Sequence, residues 1–360
     1  MSISSLKLRW KELPYFLIIG LALSILFTTF FDSNSGCGDR PEDFTRAGIF
    51  VCISLLGFFI YSYFQKGKNT GHMSLALITF LRYFLAYYIL AYAISKILDN
   101  QFYPLHAYLE YKAVDLYPMQ LTWVYMSSNY EYQALIGWGE LIASLLLLSR
   151  RTYLLGAVIM FPLLGNIVLL NYINDICVKL NSSTYLLVNI VLLASQGGRL
   201  WKLFITNQSI SKKEYPTLHP RWASYVKYGL IVLALLIVGH RYWENWTATQ
   251  SLNEAKKDPM HGVWEVVSSE GINNDSIVSM ESKLFFEAHR YVFIKGEKST
   301  WLPYTIDPAS NAIQLTGRDS LEVNIQYKIT QDTLMHMQWH SPNDTLVLDL
   351  EFKEQYRRRD

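Results

Sequence analysis

Residues 153–173 read YLLGAVIMFPLLGNIVLLNYI, a stretch of 21 positions without one charged side chain. A helix needs ~20 apolar residues to cross a hydrocarbon layer of ~30 Å, so this stretch has the length of a transmembrane helix. Blocks of the same character lie on both sides of it, between Pro14 and Trp243. The sequence therefore predicts a polytopic membrane protein.

About seven membrane-spanning helices are predicted from these blocks. The sixth block is the weakest, and its helix is expected to begin near Leu180 and end near Trp201. The predicted spans are Pro14–Phe31, Ile49–Phe64, Leu75–Leu98, Ala134–Ser149, Tyr153–Ile173, Tyr185–Ala194 with its flanks, and Tyr225–Trp243.

The positive charges predict how these helices are oriented. Thirteen Lys and Arg residues lie before the first span and in alternate connections, whereas the opposite set holds only Arg40, Arg46, Lys112 and Lys179. Connections rich in Lys and Arg stay in the cytoplasm. We therefore expect an inner (plasma) membrane protein with a cytoplasmic N-terminus and an extracytoplasmic C-terminus. The net charge of +2 is too small to suggest a nucleic-acid partner.

The connection 99–133 is unusually rich in Tyr and Trp. Because such side chains favour the headgroup level of a bilayer, the segment is expected to form a short interfacial helix or cap on the outer surface. It is either an aromatic belt alone or a lid over a cavity among the helices.

A change of pattern after residue 258 predicts a second domain. Residues 244–258 are polar and indicate a linker between a helical domain (1–243) and a β domain (259–356). Eight short alternating segments joined by tight turns predict a small antiparallel barrel or sandwich. The predicted strands are Gly262–Ser268, Leu284–Ala288, Tyr291–Lys295, Thr300–Ile306, Ala312–Thr316, Leu321–Ile329, Thr333–Trp339 and Thr345–Phe352.

The three cysteines indicate no metal site, because they form no CxxC motif and no cluster with histidine. Cys37 and Cys177 fall on the same predicted side of the membrane and could form a disulfide.

Ionisable residues inside the predicted spans are the candidate site. Such a residue costs at least ~2.5 kcal/mol on insertion scales unless it has a partner or faces water. Arg82 and Lys96 lie on nearly the same face of the third span, and Glu140 lies in the fourth. Depth favours a pair between Glu140 and Lys96. The pair either fixes helix packing or lines a polar pocket near the outer leaflet, in which Lys96 would set the pKa of Glu140.

The fifth span adds polar residues toward its outer end: Asn166, Asn171, Asn174 and Asp175. Amides in membrane helices usually bond neighbouring helices. With Glu140 and Lys96, however, they would make a polar cluster that could bind the head of a quinone or another lipid.

Two segments resemble the DoxX-like superfamily. They are Leu81-Arg82-Tyr83-Phe84 continuing to Lys96, and Ile136-Gly-Trp-Gly-Glu140 followed by a leucine-rich stretch and Arg150-Arg151. The likeness covers about residues 75–194. It implies a four-helix membrane module linked to quinone-coupled sulfur oxidation and to membrane redox or envelope maintenance.

The start of the β domain, Gly262-Val-Trp264, resembles the G-x-W opening of lipocalin-like barrels. In that pattern the Trp closes one barrel end, and Arg357 to Arg359 could supply the basic residue that packs over it. The helices with an external β domain also resemble the membrane part of vitamin K-dependent carboxylase-like proteins.

The sequence is compatible with three functions. The protein could bind a lipophilic molecule such as a quinone and act as an accessory to a membrane redox partner. It could be a membrane oxidoreductase or a carboxylase-like enzyme, although no Ser/His/Asp arrangement, Walker A, GxGxxG or HExxH motif indicates a catalytic site. It could also be a membrane anchor for an external ligand-binding barrel.

Overall fold

The computed structural model describes residues 10–32, 38–64, 71–103, 105–209, 221–271, 278–296, 299–307, 310–316, 322–330, 333–340 and 345–353. Within them the chain forms a helical region followed by a closed β-barrel. The helices are α1 (Leu13–Phe31), α2 (Pro41–Phe64), α3 (Gly71–Ile97), α4 (His106–Leu109), α5 (Pro118–Ser128), α6 (Tyr130–Leu148), α7 (Tyr153–Ile173), α8 (Lys179–Ala194), α9 (Gly197–Phe204) and α10 (Arg221–Lys256). A 3-10 turn, Ala113–Asp115, lies between α4 and α5.

Among the described residues, four helices are long and apolar enough to span a membrane: α1, α2, α3 from Met73, and α7. Helix α8 is apolar but has only 16 residues. The other two predicted spans lie inside α6 and α10. The helical character of all seven segments is confirmed, and the number of spans stays a prediction.

Two helices end at other residues than predicted. Residues 244–256, predicted as part of a linker, are the last turns of the 36-residue helix α10. They contain neither Gly nor Pro, and polar composition alone does not end a helix. The sixth predicted helix does not run to Trp201, because α8 ends at Ala194 and Gly197-Gly198 open a separate helix.

The chain divides into two compact units, and the first is the helical unit (residues up to Gln101, and Asn129–Asn245). In it α3 packs on α6, α6 on α7, and α7 on α8. Two glycines allow close approach of these helices. A Cβ atom on Gly137 would lie 3.0 Å from the Ala93 carbonyl oxygen, and one on Gly156 would lie 2.8 Å from that of Ala143.

The loop before α2 is attached to the start of α8. The carboxylate of Asp39 accepts hydrogen bonds from the backbone N–H groups of Lys179 (3.0 Å) and Leu180 (2.9 Å). Cys177 is disulfide-bonded and Cys52 is free, whereas Cys37 lies outside the described residues. Asp39 therefore satisfies backbone donors that the first turn of α8 would otherwise leave open.

The second unit (Phe102–Ser128 and residues from Trp246) contains the barrel. Its eight antiparallel strands follow one another in chain order, and β8 pairs with β1 to close the ring. The up-and-down barrel is confirmed, and the sandwich alternative is wrong. The strands are β1 (Gly262–Glu270), β2 (Lys283–Glu287), β3 (Tyr291–Lys295), β4 (Thr300–Asp307), β5 (Ala312–Thr316), β6 (Glu322–Thr330), β7 (Leu334–His340) and β8 (Thr345–Phe352).

Apolar side chains fill the barrel, as the narrow interior of an eight-stranded barrel permits. Trp264 is buried, donates its indole N–H to the Met260 carbonyl at 2.8 Å, and packs edge-on against Phe352. Gly262 has φ +129°, and a Cβ atom there would meet the Phe352 ring at 2.5 Å. This contact explains why glycine precedes the tryptophan. Arg357 to Arg359 lie outside the described residues.

Residues 102–128 of the aromatic connection belong to the barrel unit. Ala107 and Tyr111 pack on Val263, Phe285 and Phe293, on the outer face of β1, β2 and β3. In the described structure this connection is therefore a cover for one side of the barrel, which the sequence did not predict.

Candidate functional site

The centre of the candidate site is a buried ion pair in the helical unit. Lys96 Nζ lies 2.8 Å from Glu140 Oε2 and 3.0 Å from Glu140 Oε1, so both carboxylate oxygens accept a hydrogen bond from one ammonium group. The side chain of Glu140 is 0% exposed and that of Lys96 is 4% exposed. The structure thus contains the pair that depth in the membrane favoured.

Helix packing places the two charges. Lys96 lies in the last turn of α3, and Glu140 lies midway along α6. Gly137, one turn before Glu140, lets α6 approach to the point where a Cβ atom would be 3.0 Å from Lys96 Cβ. Gln133, one turn earlier, donates its side-chain N–H groups to the Lys96 carbonyl and to Asp99 Oδ1, each at 3.0 Å. These contacts fix the end of α3 against α6.

A group of tyrosines lies beside the pair. The ammonium of Lys96 is 5.7 Å from the centre of the Tyr92 ring. The Tyr92 and Tyr185 rings have centres 6.4 Å apart, and Tyr185 stacks on Tyr88 with ring centres 5.4 Å apart. The Tyr88 hydroxyl is hydrogen-bonded to Thr29 Oγ1 at 2.7 Å. Planar rings and hydroxyls therefore continue from the ion pair through the core.

These tyrosines were not predicted as site residues. The signal was present, because Tyr88 and Tyr92 are one turn apart on the helix that carries Lys96, and each brings a hydroxyl into an apolar span. Tyr185 on α8 was assigned only to a weak span, which concealed its contact with both.

Arg82 lies apart from the ion pair. Its Nε donates to the Leu147 carbonyl at 2.7 Å, and its guanidinium lies 4.9 Å from the centre of the Tyr153 ring. It therefore joins the end of α6 to the start of α7. Although buried, Arg82 belongs to a separate contact, as its depth in the sequence indicated.

The polar residues of α7 and of the turn after it differ in their exposure. Asn171 is buried, but Asn166 and Asp175 are exposed, and Asp175 pairs with Lys179 at 2.6 Å. Asn174 is half-buried and bonds the Leu170 carbonyl one turn back. Of the four, only Asn171 is buried, because steps of 100° per residue turn the others toward different sides of α7, and joint action of the four stays a prediction.

A buried amide on another helix was not predicted. Asn189 on α8 is fully buried and donates its side-chain N–H to the Ala157 carbonyl at 3.0 Å. The contact joins α8 to α7, as amides in membrane helices commonly do.

The fold and the ion pair define a class of protein: apolar helices with a charged pair in their core, followed by an eight-stranded barrel. The chain is 36% identical over 133 residues to the uncharacterised protein YwoB of Bacillus subtilis (strain 168), and the match covers 37% of this chain and 84% of that protein. The chain belongs to the same family as YwoB. No protein-family model and no solved structure matches it.

Proposed function

We propose that this chain is an integral membrane protein whose helical unit binds the polar head of a lipophilic molecule, with a quinone as the leading candidate. The observation that carries the proposal is the buried Lys96–Glu140 pair beside the rings of Tyr92, Tyr185 and Tyr88. In this proposal the protein is an accessory to membrane redox chemistry or envelope homeostasis.

The chemistry of the site suits a quinone head. Ionisable residues inside apolar helices are costly and are by default candidates for function. The Lys96 ammonium and the tyrosine hydroxyls are hydrogen-bond donors for carbonyl oxygens, and the Glu140 carboxylate accepts a bond from a quinol hydroxyl. Flat tyrosine rings offer stacking surfaces for a conjugated ring. The DoxX-like resemblance, which includes Lys96 and Glu140, agrees with a redox context.

We further propose seven spans in the inner membrane, with a cytoplasmic N-terminus and an extracytoplasmic barrel. The bias of Lys and Arg toward alternate connections supports this orientation. The disulfide at Cys177 also supports it, because disulfides persist in oxidising compartments and Cys177 follows a span predicted to end outside.

The ligand proposal is tested by extraction of lipids from the purified full chain and quantification of quinones by mass spectrometry. The informative variant is Lys96→Met/Glu140→Leu, because replacement of both partners of a buried ion pair by apolar residues often preserves stability. The matched control is Glu131→Gln, which changes an exposed carboxylate in the first turn of the same helix. Wild type and Glu131→Gln should retain a quinone. The quinone content of the double variant should be at least tenfold lower than that of wild type.

Equal quinone content in the folded double variant and in wild type would contradict the proposed binding site. Absence of quinone from wild type would contradict quinone as the ligand.

Orientation is tested separately with a cysteine added after Asp360 in a Cys52→Ser background. A membrane-impermeant maleimide should label it in intact cells, and labelling only after lysis would contradict the topology.

A further inference from the structure

A second buried carboxylate lies in the barrel unit, far along the chain from its partners. Glu287, at the end of β2, is 0% exposed. Its Oε2 lies 3.0 Å from His106 Nδ1, and its Oε1 accepts the backbone N–H of Ala107 at 3.1 Å. Both partners belong to α4, so this carboxylate holds the segment Phe102–Ser128, here called the clasp, on the barrel.

Histidine and tyrosine rings surround this contact. The His261 ring, just before β1, lies edge-on to the His106 ring with centres 5.0 Å apart. Tyr103 of the clasp places its hydroxyl 3.5 Å from His261 Nε2 and its ring 5.1 Å from the His289 ring. Lys256 lies 4.9 Å above the Tyr103 ring. His106 and His261 thus contact each other where the clasp joins the barrel, and Tyr103 connects this contact to His289.

The clasp covers apolar surface that a barrel would otherwise present to solvent. Val263, Phe285 and Phe293 point outward from β1, β2 and β3 and are buried against Ala107 and Tyr111. A second anchor, Glu110, pairs with Lys283 at 2.9 Å and with Lys295 at 3.4 Å. Release of the clasp would therefore expose an apolar face of the barrel.

We propose that the clasp is an acid-responsive cover: as the pH falls, the segment Phe102–Ser128 leaves the barrel and exposes Val263, Phe285 and Phe293. The geometric basis is the edge-on contact of the buried His106 ring with the half-buried His261 ring, together with Tyr103 of the clasp, which contacts both His261 and the exposed His289. A proton added to His261 must be accommodated beside His106 and Lys256, while the Glu287 carboxylate is already engaged by His106 and Ala107.

The charges around the histidines determine the sign of the effect. The pKa of His261 is lowered from 6.5 to about 4. Burial is the largest cause, and the neighbouring His106 and Lys256 lower it further. Burial also lowers the pKa of His289, where Lys256 opposes and Glu287 favours the proton. The barrel unit with the clasp docked therefore binds fewer protons than the unit with the clasp released. Docking is at full strength above pH 6.5 and weakens as the pH falls toward 4.

The proposal is tested by hydrogen–deuterium exchange of the full chain in detergent at pH 7.5 and pH 5.0, with rates corrected for the intrinsic effect of pH. In wild type, the corrected exchange rate of the clasp amides should be at least threefold higher at pH 5.0 than at pH 7.5. The pKa shift of His261 alone sets an upper limit of ~30-fold. Strands β5 to β7 serve as the internal reference, because they lie outside this contact.

Two variants assign the response. His261→Gln should remove most of the pH dependence, and His336→Gln, an exposed histidine on β7, should retain it. If His261→Gln disturbs folding, the reference strands will show it, and His289→Gln should then lose the smaller part of the response. Opening that is equal at both pH values, an equal rise in the reference strands, or a full response in His261→Gln/His289→Gln would overturn the proposal.

Discussion

Lys96 and Glu140 form a two-oxygen ion pair in which a single ammonium contacts both carboxylate oxygens, at 2.8 and 3.0 Å, out of contact with solvent. Two charges withdrawn from water carry a large desolvation cost, which mutual attraction only offsets when the geometry is good. The pair therefore adds little net stability to the helical unit, but loss of either partner alone leaves the other as an uncompensated buried charge.

Removal of one partner should be far more damaging than removal of both. Glu140→Ala leaves the buried Lys96 without its counter-ion and should cost about 3–5 kcal/mol, whereas Lys96→Met/Glu140→Leu should lie within ~1 kcal/mol of wild type or above it. Thermal unfolding of the purified chain in detergent measures both. If the double variant were as unstable as Glu140→Ala, the cause of the instability would be lost packing of the long side chains and not an unpaired charge.

Gly137 should tolerate no side chain. Gly137→Ala places a methyl group 3.0 Å from the Ala93 carbonyl and from Lys96 Cβ, so α3 and α6 must separate, at a cost of about 1–3 kcal/mol. Gly165→Ala on α7 is the matched control, since a Cβ atom there meets nothing within 4 Å and alanine is the better helix former. Equal unfolding temperatures for the two variants would argue against tight packing at the ion pair.

Asp39 should stabilise the start of α8 from a distant part of the chain. Asp39→Ala removes the acceptor of two backbone N–H groups and should cost about 0.5–2 kcal/mol. Asp175→Ala is the comparison, because Asp175 is exposed and bonds only the Lys179 side chain in the described structure. Hydrogen exchange at Lys179 and Leu180 should accelerate in the first variant and not in the second.

Trp264 should matter more to the barrel than any exposed tryptophan. Trp264→Phe removes the donor to the Met260 carbonyl and leaves unfilled volume beside Phe352, at a cost of about 1–3 kcal/mol. Trp301→Phe, at a position 40% exposed, should change stability by less than ~0.5 kcal/mol. Urea unfolding, monitored by hydrogen exchange of the barrel amides, measures the stability of both variants. A larger loss of stability in Trp301→Phe than in Trp264→Phe would contradict the prediction.

Local patterns were enough to predict most of the elements. Helix α7 begins at Tyr153 and ends at Ile173 as predicted, because a charged turn precedes it and no charged residue interrupts it. The eight strands follow from alternation and turn residues, and β8 has the burial pattern that Leu346, Leu348 and Leu350 indicated. Patterns of this kind depend on near neighbours in the chain, which the sequence displays directly.

Contacts between distant residues were harder to predict. The Lys96–Glu140 pair could be inferred from depth, whereas the position of Asn166 could not, because depth does not reveal which face of α7 meets its neighbours. The clasp was missed because Ala107 and Glu287 are separated by 180 positions. A signal existed: β2 and β3 are apolar on both faces, as Phe285 beside Phe286 and Phe293 beside Ile294 show, which is typical of strands covered on two sides.

The pairing of β8 with β1 has a consequence for biosynthesis. Trp264 pairs with Phe352, so β1 acquires its second neighbour only after β8 has been synthesised. Until then β1 presents a row of unpaired peptide groups, the kind of edge to which a foreign strand can add. Truncation by even one strand would leave that edge permanently open, so the ring protects the protein from aggregation only as a whole.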